Sequence, residues 1–202
     1  KIKMTLSITL ILNILLSFSG LFGLFQTITK ISFPQKWVWF VGFSIITAVG
    51  ICNSLYQYGG VYIVLLPALY PLKSTLETTA TLGLIIGVYS LINNDQISSH
   101  WYSLPTGCTP ITMLAQYYPT YYIQFVFVAL LLGYILVKAQ TKVYWVIPLA
   151  LLVFSTIVQI FKVRVFTLTY SDVGTILLTA STLAFAILST GGKIQVGKNK
   201  IG

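Results

Sequence analysis

The sequence predicts an all-α, polytopic integral membrane protein with about six transmembrane helices and one short interfacial or re-entrant segment. Three observations carry that prediction. Of 202 residues, 56% are hydrophobic and only 7% charged, against roughly 25% charged in ordinary soluble domains. A soluble globule of this size would lack a polar skin. Disorder is the other meaning of low charge, but disordered chains are depleted in apolar and aromatic residues, and here aromatics make up 14% and the mean hydropathy is +0.89. The third observation is a series of apolar runs near the roughly 20 residues that a transmembrane helix needs.

The first run, residues 4–25, follows Lys1-Ile2-Lys3 and imitates a secretion signal. It is longer than the roughly 7–15 residue core of such signals and lacks an A-x-A site, so it reads as a retained helix. The second run is 37–56. The stretch 61–92 is too long for one crossing, since as helix it measures about 48 Å at 1.5 Å per residue. Pro67, Pro71 and Lys73 mark the expected break, because proline removes a backbone donor and disfavours helix in the residue before it. That leaves a span at 74–92 and an apolar piece at 61–70, too short to cross and entered through Gly59-Gly60. Residues 93–120 form the longest polar interval, an expected external loop holding Asp95, His100 and Cys108. The remaining spans are 121–137, 143–160 and 173–190, all within one domain.

Six spans put both termini on one side. With the termini cytoplasmic, the inside holds Lys1, Lys3, Lys73, Lys138, Lys142, Lys193, Lys198 and Lys200, and the outside Lys30, Lys36, Lys162 and Arg164. Short-loop Lys and Arg favour the cytoplasm, which selects this orientation. Aromatic residues fall at the span ends, where belts of Trp and Tyr sit at headgroup level. Trp37 and Trp39 open the second span, and Tyr144 and Trp145 open the fifth. The net charge of +9 is scattered singly between apolar runs, so it reads as boundary charge and not as a nucleic-acid surface.

Few residues are available for chemistry. One histidine and two distant cysteines, Cys52 and Cys108, do not compose bis-histidine haem ligation, a zinc helix or a C-x-x-C pair. No catalytic residue, cofactor or metal is expected. Glu77 is the acid inside a predicted span, with Lys73 four residues earlier on the same helical face. An ionisable group within a membrane is costly and marks a candidate functional site, while an interfacial ion pair is the simpler account. Thr75, Thr79, Gly83 and Gly87 recur at intervals of four, including a G-x-x-x-G, and small residues in a stripe let helices approach closely. Ser171 and Asp172 stand directly before the sixth span as an ordinary helix cap. That span carries small residues nearly all round, which suits protein neighbours. Lys162 and Arg164 flank Val163 and are candidate lipid-headgroup contacts.

The functional expectation is an accessory, structural subunit of a larger membrane assembly, of which a respiratory or other bioenergetic complex is one kind. Its partners are the bilayer and other membrane subunits. The alternative is a small channel or transporter using Glu77 as its polar site.

Overall fold

A computed structural model of the chain describes residues 7–31, 35–59, 66–93, 98, 100–101, 126, 129–131, 133–134, 137, 143–165 and 167–190. Five helices organise them. They are α1 (Ile8–Lys30), α2 (Gln35–Gly59), α3 (Leu66–Ile92), α4 (Val146–Ile160, entered through the 3₁₀ turn Val143–Trp145) and α5 (Tyr170–Ser189). No strand occurs among the described residues. Val126, Ala129, Leu130, Leu131, Gly133, Tyr134 and Val137 are also helical, within the expected 121–137 span. Helices α1, α5 and residues 35–55 of α2 are long and apolar enough to cross a membrane, and α3 and α4 contain shorter apolar stretches, 79–92 and 146–160.

Helix α3 starts at Leu66 and runs unbroken through Pro67 and Pro71, which corrects the expected break and merges 66–70 into the helix. Residues 61–65 lie outside the described residues. Pro67 is the second residue of the helix, in the first turn, where backbone N–H groups have no intrahelical acceptor to lose. Pro71 removes one backbone bond, a loss that helices packed in a bundle absorb. The resulting 27 residues measure about 40 Å, longer than a roughly 30 Å hydrocarbon core and accommodated by tilt or protruding ends.

Successive contacts fix the direction of each helix. Gly20 lies against Thr47, Gly23 against Phe43 and Gly50 against Ser17, so α1 and α2 are antiparallel. Helix α3 runs back along α2, with Gly83 against Val38 and Gly87 against Trp39. Ser181 Oγ donates to the Pro148 carbonyl at 2.8 Å and Ser155 Oγ to the Gly174 carbonyl at 2.9 Å, which makes α4 and α5 antiparallel. Trp39 stacks on Trp145 at 6.2 Å and meets Phe185 at 6.3 Å. The start of α2, the start of α4 and the end of α5 therefore share one end of the bundle, the second end. The starts of α1 and α5 and the end of α4 share the other, the first end.

Among the described residues, α1 thus starts at the first end and α5 finishes at the second. Asn93 follows α3 at the second end, where Tyr134 donates to its Oδ1 at 2.9 Å, and Trp145 lies at that same end. A second consequence concerns charge. Lys30 and Lys36 lie at the second end and Lys162 and Arg164 at the first, so the basic residues counted together as external stand at opposite ends of the bundle.

Helix α1 turns a mostly small and polar face inward, beside a hydrophobic core built mainly by the other helices, and an apolar face outward. Helix α1 buries Asn13, Ser17, Ser19, Gly20, Gly23 and Thr27 and turns Ile11, Leu15, Phe18, Leu21, Phe22 and Phe25 outward. In water this arrangement would be inverted, because burial of large apolar surface drives folding there. In lipid it is expected, since small residues give close helix packing and the outside is already apolar. The buried hydroxyls of α1 and α2 bond within their own helices, as in Ser17 Oγ to Asn13 O at 2.9 Å, Thr27 Oγ1 to Gly23 O at 2.8 Å and Thr47 Oγ1 to Phe43 O at 2.8 Å, whereas Ser155 and Ser181 bond across the α4–α5 contact.

The second end is closed by aromatic rings. Trp39, Phe43, Trp145 and Phe185 are all fully buried and in mutual contact. This corrects the belt assignment for two of them. Trp37 and Tyr144 are each 43% exposed and remain at the surface, while Trp39 and Trp145, their neighbours in sequence, turn inward.

Candidate functional site

At the first end the sequence Thr169-Tyr170-Ser171-Asp172 builds a polar site from its own backbone outward. Thr169 has extended backbone angles and caps α5. Its hydroxyl accepts from the Asp172 N–H at 3.2 Å, and Asp172 Oδ2 accepts from the Thr169 N–H at 3.0 Å and the Thr169 hydroxyl at 2.7 Å. This is a reciprocal capping box, in which two orphan N–H donors of the helix start are satisfied. The acid also lies at the favourable end of the helix dipole. The expected cap is thereby shifted. Thr169 is the cap, and Ser171 and Asp172 are inside the helix.

Asp172 differs from an ordinary surface cap in its burial. It is 4% exposed, and its second oxygen, Oδ1, has no hydrogen-bond partner. The Thr9 side chain of α1 approaches the carboxylate without forming a well-shaped bond to Oδ1. One turn further into α1, Asn13 Nδ2 donates to the Thr9 carbonyl at 2.9 Å, and Asn53 Nδ2 of α2 donates to Asn13 Oδ1 at 3.3 Å. Three helices therefore bring a carboxylate, a hydroxyl and two amides to one end of the bundle. The Thr169 donors and the α5 N-terminus favour the ionised carboxylate, and the Thr9 side chain lies beside it. Among the described residues, no group of three His, Cys, Asp or Glu gathers to hold a metal.

A further space lies among the described helices. A cavity of about 40 Å³ lies at mid-height, lined by Leu16, Val49, Thr81, Leu84, Ser155 and Gln159 among others, so that all five helices reach it. Its polar wall comes from α4, where Thr156 Oγ1 bonds back to Leu152 O at 3.0 Å, and from Thr81 of α3.

The residues singled out from the sequence fall in different places. Lys73, Thr75 and Glu77 belong to the α3 backbone, and their side chains lie outside the described residues. Thr79 is buried, and Gly83 and Gly87 face α2 of the same chain. Lys162 and Arg164 are exposed in the α4–α5 connection. Cys52 is an exposed free thiol on α2, and Cys108 lies outside the described residues. Asp172, read from sequence as a cap alone, is buried, the one acid whose side chain is among the described residues. The signal available for it was the T-x-x-D spacing at Thr169 combined with the scarcity of acids, three in the whole chain.

No protein-family model, curated protein or solved structure matches the chain. The class is defined by the fold alone. It is an all-helical bundle with an apolar exterior and three helices able to cross a membrane.

Proposed function

We propose that the chain is a multi-pass membrane subunit with a structural, non-catalytic role in a larger membrane assembly. The observation that supports this reading is the small space at the centre of the described helices. The cavity that all five line is about 40 Å³, enough for a water or two and too small for a carried solute. Of its polar lining, Ser155 is bonded to Gly174 and Thr156 to Leu152. The helices hold one another, and the apolar exterior of α1 is left to lipid and neighbouring subunits.

The test is extraction of the tagged chain from its native membrane in mild detergent. Recovery in a discrete complex with fixed stoichiometry is expected, and loss of that complex when the chain is deleted. Recovery as a monomer in a micelle, with solute or ion flux after reconstitution into liposomes, refutes the proposal. Such flux would support a small channel or carrier, a reading favoured by the open Oδ1 of Asp172. In that case Asp172→Asn or Glu77→Gln abolishes flux and leaves the fold intact.

A further inference from the structure

The connection between α4 and α5 is a short segment held rigidly at both ends. Helix α4 closes with Phe161 N–H donating to Ile157 O at 2.9 Å and Val163 N–H to Val158 O at 3.1 Å. The second bond spans five residues, the Schellman pattern of a helix C-terminus. Lys162 occupies the residue between them with φ of 50°, a left-handed conformation that glycine adopts most readily. Next, Val165 and Leu168 pair, with Leu168 N–H donating to Val165 O at 3.0 Å, and Thr169 then caps α5.

Five successive residues, Phe161 to Val165, are exposed on this connection, Phe161 by 73%. Three are apolar and two are cationic. Lys162 and Arg164 form no ion pair among the described residues. Asp172, the nearest acid in sequence, is buried and engaged by Thr169. At the other end of the bundle Lys36 is different, because its Nζ donates to Ile28 O at 3.0 Å.

We infer that Lys162 and Arg164 bind the phosphate of an anionic phospholipid headgroup, with Phe161, Val163 and Val165 set into the adjoining acyl region. The inference rests on the membrane reading above. Helix α5 has 20 residues, about 30 Å at 1.5 Å per residue, which matches the hydrocarbon core. Its start and the segment before it therefore stand at headgroup depth. At that depth the abundant anion is lipid phosphate, and the exposed apolar residues exclude a fully aqueous setting. Lysine and arginine stems lie along apolar surface while their charged ends reach phosphate.

The test uses the whole chain in nanodiscs of phosphatidylcholine, with phosphatidylglycerol titrated in and bound lipid counted by native mass spectrometry. Tryptophan quenching by brominated lipid first establishes insertion, so failure of the membrane reading is seen separately. Wild type should retain phosphatidylglycerol preferentially. Removing one basic residue should weaken that preference roughly fivefold, and Lys162→Gln with Arg164→Gln about 25-fold. Lys162→Gly removes one charge and suits the left-handed backbone, so it should fold at least as well as wild type and still lose about fivefold. An equal loss in Lys30→Gln with Lys36→Gln, or displacement of the lipid by millimolar inorganic phosphate, overturns the proposal. So does an unchanged preference in the double variant.

Discussion

Gly83→Ala tests the packing of α2 on α3 at its closest point. A methyl group at position 83 would stand 2.9 Å from the Val38 carbonyl oxygen, about 0.5 Å inside the 3.4 Å at which ordinary contact begins. The obstructing atom is backbone, so α2 has to move as a unit, and Gly42 behind it is also in contact. Overpacking of this kind costs about 1–3 kcal/mol. Against it stands the helix-propensity gain of glycine to alanine, about 1 kcal/mol. The net expectation is a destabilisation between about zero and 2 kcal/mol. Gly133→Ala is the control, since its new methyl meets nothing within 4 Å among the described residues, leaving a gain of about 0.5–1 kcal/mol. For a chain of this length 1 kcal/mol moves the melting temperature by about 2–4 °C. In the same detergent Gly83→Ala should therefore melt at or below wild type and Gly133→Ala above it, roughly 1–12 °C apart. Equal melting temperatures, or a more stable Gly83→Ala, would show that α2 and α3 do not approach as described.

Thr169→Val removes the hydroxyl of the capping box and should cost about 1 kcal/mol, read as a fall of about 2–4 °C in melting temperature, while Thr169→Ser restores most of it. Asp172→Asn keeps an acceptor for the Thr169 N–H but removes the charge that the Thr169 donors and the α5 N-terminus favour, so the melting temperature should fall by about 2–4 °C for a loss of about 1 kcal/mol. An unchanged melting temperature would show that the charge contributes nothing to the cap. Single cysteines at Ser7 and Thr190, in a Cys52→Ser, Cys108→Ser background, should react with an impermeant maleimide from opposite faces of sealed vesicles. Labelling from the same face would support six spans with both termini on one side and refute the helix directions described.

Much of the class was legible in the chain, because composition reports the solvent directly. Scarce charge and long apolar runs are incompatible with a watery surface whatever the fold, and the helices α1, α2 and α5 follow from them. The stripe Gly83, Gly87 was also readable as a packing face, since small residues at intervals of four share one side of a helix. Its partner was not readable, because a stripe fits an internal helix or another chain equally well. Tertiary structure alone decided that Trp39 turns inward while Trp37 stays outside. It also decided that α3 continues through Pro67 and Pro71, and that Lys30 and Lys162 stand at opposite ends. Each depends on which helices are neighbours and how many passes separate them, and local sequence does not encode that count. Asp172 shows the same division. Its T-x-x-D spacing specifies a cap, but burial of the carboxylate comes from α1 packed alongside α5, some 160 residues away in the chain.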